Sequence, residues 1–423
     1  MNIDHPQTAI TPAAASPQEA WRLRFWSIWS GQALSLMGSA LTQFVLLWWI
    51  TLNTGSAGAL AIAGAMALLP QALLGPLGGT LADRYSRRKI MIITDTVSAL
   101  CMLVLVWLFQ SGQVQLWHIY TMMFIRSSMQ AFQMPASAAS TAMLVPPEWL
   151  GRVAGLNQML QGGMTIAAAP LGALLLAFLP FQGAMLIDVV TALLGIVPLL
   201  IFAIPQPTRG EAQQTGLWAD FVGGARVVLH NRGLLLLYVL VTLVVLTIMP
   251  TFTLTPLLVK EHFAGGVNEV AFMEGLAGIG IILGGALIAV VPIFKRRIVT
   301  VLVSFALSCA AVALTALTPG SMLWLAALWW GLSGITFSTG NAPLLALIQS
   351  QVPNELQGRV LGLLNTVMGL AAPVGLGLAA LLGELVGVRG VFIAGGLASA
   401  AICLLGFASP SVLRIEEQKL DAS

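Results

Sequence analysis

Charge is what this chain has least of. Only 8% of its 423 residues are Asp, Glu, Lys or Arg, against roughly 25% in a soluble domain, which excludes a globule whose whole surface faces water. Cysteine is scarce too: Cys101, Cys309 and Cys403 all fall in apolar stretches, where they read as small packing residues. No disulfide framework or metal site follows from them. No phosphate loop of the Gly-x-x-x-x-Gly-Lys-Ser/Thr kind occurs, so nucleotide-driven work is not expected. No spaced His/Asp/Glu set or nucleophile elbow is present either, which leaves a membrane enzyme or receptor unsupported. Residues 1–20 lack the basic start and apolar run of a cleavable signal, so the first span is expected to act as its own insertion signal behind a disordered tail.

What the chain has is apolar length. Hydrophobic residues make up 58%, and mean hydropathy is +0.91. A window of about 19 residues, broken at charges and at Gly/Pro/Asn turns, predicts twelve spans. They lie near 25–51, 57–81, 90–109, 117–139, 153–177, 181–204, 233–258, 268–292, 298–317, 321–347, 360–383 and 390–408. The uncharged run from Phe25 to Ala82 has to be two spans, because Asn53-Thr54-Gly55-Ser56 is turn chemistry in its middle. The expected class is an all-α integral membrane protein in contact with the lipid bilayer.

Cations set the orientation. With both termini inside, 16 of the 19 Lys and Arg residues fall on the cytoplasmic side, Lys260 and Arg389 fall outside, and Arg126 lies within a span. The net charge of +3 therefore reads as topology, and no nucleic-acid partner is expected. Trp48 and Trp49 fit an interfacial belt.

The chain also echoes itself. Val145-Pro146-Pro147-Glu148-Trp149-Leu150-Gly151-Arg152-Val153 returns 207 residues later as Val352-Pro353-Asn354-Glu355-Leu356-Gln357-Gly358-Arg359-Val360. Each copy precedes the fifth span of a half, and each is followed by an Ala-Pro-x-Gly step, Ala169 to Gly172 and Ala372 to Gly375. Two fused six-span bundles explain this; plain helix-start chemistry, Pro in the first turn with Glu four before Arg, is the local alternative. The expected organisation is a tail at 1–20, a bundle at 21–204, a cytoplasmic linker with an amphipathic helix at 205–232, a second bundle at 233–408 and a tail at 409–423.

One charged cluster interrupts the apolar sequence: Gly79-Thr80-Leu81-Ala82-Asp83-Arg84-Tyr85-Ser86-Arg87-Arg88-Lys89. It resembles the loop signature between spans 2 and 3 of the major facilitator superfamily. Ile28-Trp29-Ser30-Gly31-Gln32-Ala33, Phe124-Ile125-Arg126-Ser127, Ile187-Asp188-Val189 and Glu261-His262-Phe263 extend the likeness to its drug-exporting branch, typified by macrolide efflux proteins. Ser86 stands where the signature usually has Gly, and the second-half counterpart, Val291 to Arg297, lacks the Asp. The resemblance implies two pseudo-symmetric six-helix bundles alternating around a central cavity in a bacterial inner membrane. It further implies a monomer that exports a small amphiphilic drug in exchange for protons, with the proton gradient as driving force and no cofactor. Export of an endogenous amphiphile such as a siderophore is the alternative.

Arg126 is the leading mechanistic candidate, since a guanidinium about nine residues or roughly 14 Å into a span is expensive unless it faces a cavity or a partner. With Gln130, Gln133 and Ser137 it forms one helical face. The resemblance gives it a part in proton coupling. Asp188, roughly 10 Å deep, is a candidate partner or proton carrier, and Glu274 in the second half is the alternative carrier. Gln32, Ser35, Ser39 and Thr42 or Gln43 recur every three or four residues in span 1, which suits a cavity wall or a small-residue helix contact. Met122, Met123, Met129, Met134 and Trp330, with Trp329, offer an adaptable apolar and aromatic lining. At the cytoplasmic end, Gly79 is expected to pack the end of span 2. Asp83, Arg84, Arg87 and Arg88 are expected to latch the halves near Arg359 in the outward-open state, with Asp95 or Glu148 neutralising some of the cations.

Overall fold

A computed structural model describes residues 17–204, 217–290, 296–352 and 354–417. Residues 205–216 of the expected linker, 291–295 of the second-half loop counterpart, and 1–16 and 418–423 of the expected tails lie outside the described residues.

The described chain is helical. α1 (Pro17–Thr54), α2 (Ala57–Arg84), α3 (Arg87–Gln110), α4 (Leu116–Leu144), α5 (Leu150–Phe178) and α6 (Phe181–Ile201) form the first half. A short helix, α7 (Leu217–His230), precedes α8 (Arg232–His262), α9 (Val267–Val290), α10 (Arg297–Leu317), α11 (Leu323–Gln351) and α12 (Asn354–Leu405). α12 is two spans in one: Gly387, at φ 70° and ψ 167°, breaks it into two limbs, a conformation open to glycine and costly for other residues. Among the described residues this makes twelve long helical segments, six in each half, consistent with the twelve expected spans.

Local chemistry explains the breaks. The turn at Asn53 to Ser56 uses Gly55 at φ 57°, and the Ser56 hydroxyl then caps α2 by accepting from the Ala59 amide. Ser86 and Asn231 cap α3 and α8 in the same way. α5 bends by 46° between Leu150–Met164 and Ile166–Phe178; Pro170 supplies the cause, because its ring displaces the Ile166 carbonyl four residues back and leaves it without a partner amide.

Burial divides the molecule along its length. At the end formed by the α1–α2 and α8–α9 turns, the far end, one apolar cluster joins both halves, with Leu46, Ile50, Leu60 and Met123 from the first and Leu257, Val270, Trp330 and Phe392 from the second. At the opposite end, which carries Arg84, Arg87, Arg88 and Arg359 and is the basic end, the core is split. Phe25, Met91, Leu144 and Leu199 cluster in the first half alone, and Leu237, Val301, Leu347 and Val360 in the second. Apolar contact drives packing wherever surfaces meet, so the halves are clasped at the far end and apart at the basic end. Trp48 belongs to the clasp and is buried, while Trp107, Trp117 and Trp324 are exposed; the belt expected of Trp48 is absent because its face of α1 meets the core.

Between halves, α2 runs against α12 and α5 against α9. Glycines permit the approach: a methyl on Gly64 would come within 2.9 Å of Leu376 and Thr253, and one on Gly278 within 2.4 Å of Ile166. Gly79, expected to pack the end of α2, faces open space; its neighbour Gly78 holds that role, since a methyl there would lie 2.1 Å from the Ala131 carbonyl oxygen of α4. The register of α2 differs by one residue, about 100° around the helix.

The cations of the far end both cap helix C-termini. Lys260 Nζ donates to the carbonyls of Thr51 at 2.7 Å and Leu52 at 3.2 Å, and Arg389 Nε to that of Ala316 at 2.9 Å, where the helix dipole favours positive charge.

Candidate functional site

Two adjoining chambers occupy the middle and basic end. The larger, about 860 Å³, lies between the halves and is walled by α2, α4, α8, α9, α10, α11 and α12, with Leu68, Ile248, Phe252, Phe337, Leu363 and Met368 among its apolar lining. Arg359, one turn into α12, is the charged side chain on its described wall. The smaller, about 390 Å³, lies inside the first half and is polar, lined by Gln32, Ser35, Ser39, Gln43, Asp95, Arg126, Gln130, Gln133 and Asp188. Leu68, Gln71, Gln130 and Met134 border both.

The polar chamber is ordered by two hydrogen-bonded groups. In the first, Arg126 Nη2 of α4 lies 2.6 Å from Asp188 Oδ2 of α6, and the Ser39 hydroxyl of α1 donates to Asp188 Oδ1 at 3.1 Å. Both charged side chains are at most one-tenth exposed, so each holds the other's charge in a region that solvates neither. In the second, Gln32 Nε2 donates to Asp95 Oδ2 of α3 at 3.0 Å and to the Gly195 carbonyl of α6 at 3.2 Å. Gln133 Nε2 of α4 donates to Gln32 Oε1 at 2.5 Å, and the Thr94 hydroxyl donates to Gln133 Oε1. One glutamine of α1 thus ties three other helices together.

Several expected residues sit elsewhere. Asp95 does not neutralise the loop cations; eight residues beyond Arg87, about 12 Å along α3, it is buried and bonded to Gln32. Met122 packs against the far-end core, turned about 100° around α4 from Met123, whereas Met123, Met129 and Met134 line the polar chamber. Trp330 is fully buried, its ring 5.4 Å from that of Phe252 and 6.1 Å from that of Phe392; Phe252 stands between it and the cavity and takes the lining position. Glu274 faces Trp330 and Thr255 within the second half and borders neither chamber.

At the basic end the described contacts of the loop arginines lie within the first half. Arg87 donates to the carbonyls of Ala82 at 3.2 Å and Ala139 at 3.1 Å, and to Met143 Sδ at 3.0 Å. Arg88 donates to the carbonyls of Leu199 and Leu200, the latter at 2.7 Å, at the C-terminus of α6. Both are fastened to their own half. Arg84 and Glu148 are exposed, Arg359 approaches Gly223 of α7, and the Asp83 side chain lies outside those described.

Sequence signals had reached Arg126, Asp188 and the Gln32 stripe. They missed Gln71, Phe252, Phe337 and Asn365, which carry no motif and are marked only by facing the gap between halves.

Two bundles clasped at one end around a central cavity have close counterparts. The fold matches a mutant of the nucleoside transporter NupG with a TM-score of 0.73 at 15% identity, over 92% of this chain and 99% of that one. In sequence the chain is 32% identical over 377 residues to Macrolide efflux protein A of Streptococcus pyogenes, covering 89% of this chain and 93% of the other. It is 30% identical over 312 residues to Macrolide efflux protein A of Enterococcus faecalis, covering 74% and 97%. The profile of the Major Facilitator Superfamily matches residues 28–376 and, overlapping, 293–419, and with the two-bundle architecture this makes the chain a member of that superfamily.

Proposed function

We propose that the protein is a proton-coupled exporter of amphiphilic drugs that works by alternating access in a bacterial inner membrane, with the basic end facing the cytoplasm. The observation that carries this reading is the pairing of a large apolar chamber, open between the halves, with a polar chamber holding a buried ion pair. The apolar chamber suits the body of a drug-sized amphiphile, since such ligands are held by hydrophobic and aromatic walls with few polar groups. The polar chamber suits ion coupling, because intramembrane charges at helix interfaces mark ion pathways. Export requires loading from the cytoplasm, and the separation of the halves at the basic end fits that step. Both chambers lie within one chain, so a monomer suffices. The proton gradient supplies the energy and no cofactor is required. Likeness to two macrolide efflux proteins makes macrolides the first substrates to try.

The test is drug accumulation in efflux-deficient bacteria expressing the protein, with and without an uncoupler, using erythromycin, a cationic dye and a catecholate siderophore. Reduced accumulation of erythromycin or the dye that an uncoupler restores is the expected result. Reduced siderophore accumulation alone would transfer the function to an endogenous amphiphile, and no effect on any of the three would remove the exporter reading.

A further inference from the structure

Three carboxyl groups lie within the membrane-spanning helices near the cavities: Asp188, Glu274 and Asp95. Asp188 already has a cation bonded to it, the Arg126 guanidinium at 2.6 Å, and accepts from the Ser39 hydroxyl at 3.1 Å, so its charge is matched within the pair. Glu274 borders neither chamber and faces Trp330 and Thr255, which are both fully buried. Asp95 differs from both. It is 7% exposed, it borders the polar chamber, and its hydrogen-bond donors are neutral amides, those of Gln32 and Gln133.

The helices packed against Asp95 bring no free cation to it. α4 brings Arg126, already engaged with Asp188; α6 brings Asp188 itself; and the facing residue of α1 is the neutral Gln32. On its own helix Arg87 and Arg88 are about two turns away and donate to carbonyls of α2, α4 and α6. Asp95 is thus held by neutral amides, those of Gln32 and Gln133, with no cation matched to its charge, and an unmatched buried charge is costly. The chamber shares Leu68, Gln71, Gln130 and Met134 with the cavity that reaches the basic end, which supplies a route to water.

We infer that Asp95 is the carboxyl group that takes up and releases the transported proton, a role that rests on the exporter reading above. Protonation also alters the hydrogen-bond pattern. The Asp95 carboxylate accepts from Gln32, whereas the protonated acid can donate to Gln32 Oε1, the atom that now receives Gln133 Nε2. Because Gln32 joins α1 to α3, α4 and α6, one proton changes the bonding of four helices, a means for charge to bias the bundle's position.

Two measurements on the purified full chain in liposomes test this. Infrared titration, which needs no substrate, is expected to show a buried carboxylic-acid band that Asp95→Asn removes and Glu274→Gln leaves in place. Persistence of the band in Asp95→Asn, or its loss in Glu274→Gln, would overturn the inference. In the second, erythromycin is added to liposomes with an imposed pH gradient. The wild type is expected to move protons with the drug, and Asp95→Asn to lose at least 10-fold of that movement while keeping downhill drug equilibration. Proton movement by Asp95→Asn at the wild-type rate would overturn the inference equally. A wild type that moves no protons with any of the three compounds fails the exporter reading, a failure separate from the infrared result.

Discussion

The Lys260 ammonium of the second half lies 2.7 Å from the Thr51 carbonyl of the first. This is a bond across the two bundles at the end where they are clasped, and it places a full positive charge on the C-terminus of α1, where unpaired carbonyls concentrate negative potential. A hydrogen bond from a charged donor contributes roughly 1.5–3 kcal/mol, enough to move a two-state equilibrium on the order of 10-fold or more. Lys260→Gln should therefore shift the protein toward the conformation open at the far end. Spin-label distances between the far ends of α1 and α8 would report it as a larger long-distance population, and an unchanged distribution would reduce Lys260 to a cap with no part in gating.

Arg126 and Asp188 form a buried pair, and removing one member strands the other. Asp188→Asn should cost about 3–5 kcal/mol of stability, read as a lower melting temperature in detergent. Joining Arg126→Met to Asp188→Leu should restore most of the melting temperature, because apolar replacements leave no orphaned charge. Drug export should stay absent in both. If the double variant exported erythromycin normally, the pair would be scaffold alone.

Gly78 and Gly79 give a neighbouring-residue contrast. A methyl on Gly78 would lie 2.1 Å from the Ala131 carbonyl oxygen, while Gly79 faces open space. Gly78→Ala should destabilise by about 1–3 kcal/mol through forced separation of α2 and α4, and Gly79→Ala should be neutral or gain up to about 1 kcal/mol in helix propensity. Melting of the two purified variants decides it: equal values would mean that α2 slides without penalty.

The sequence made the twelve spans and the buried charges readable for physical reasons. Apolar length and turn chemistry such as Asn53 to Ser56 follow from the bilayer itself, and Arg126 stands out because a cation within a span demands a partner. What could not be read is which side of a helix faces the gap. Asp95 looks like a loop neutraliser by its closeness in sequence to Arg88, yet the rise of α3 carries it to the middle of the bundle, where Gln32 waits on another helix. Met122 and Trp330 have the composition of a drug-binding wall, but helix azimuth turns them into core. The state captured was equally hidden, since the separation of the halves at the basic end depends on contacts between residues hundreds of positions apart.

Phe252 and Trp330 show how that azimuth can be tested. Their rings are 5.4 Å apart, but Phe252 is 45% exposed and lines the large chamber while Trp330 is fully buried behind it. Phe252→Ala should leave the fold nearly as stable and enlarge the apolar chamber, changing the ranking of erythromycin against bulkier or smaller amphiphiles. Trp330→Ala should leave a cavity in the far-end core and cost about 3–5 kcal/mol, lowering the melting temperature and the amount of protein in the membrane before any effect on selectivity. Measuring melting and drug ranking on both variants separates the roles. A Trp330→Ala protein of wild-type stability with altered drug ranking would return Trp330 to the binding wall and mean that the tryptophan swings into the chamber during the cycle.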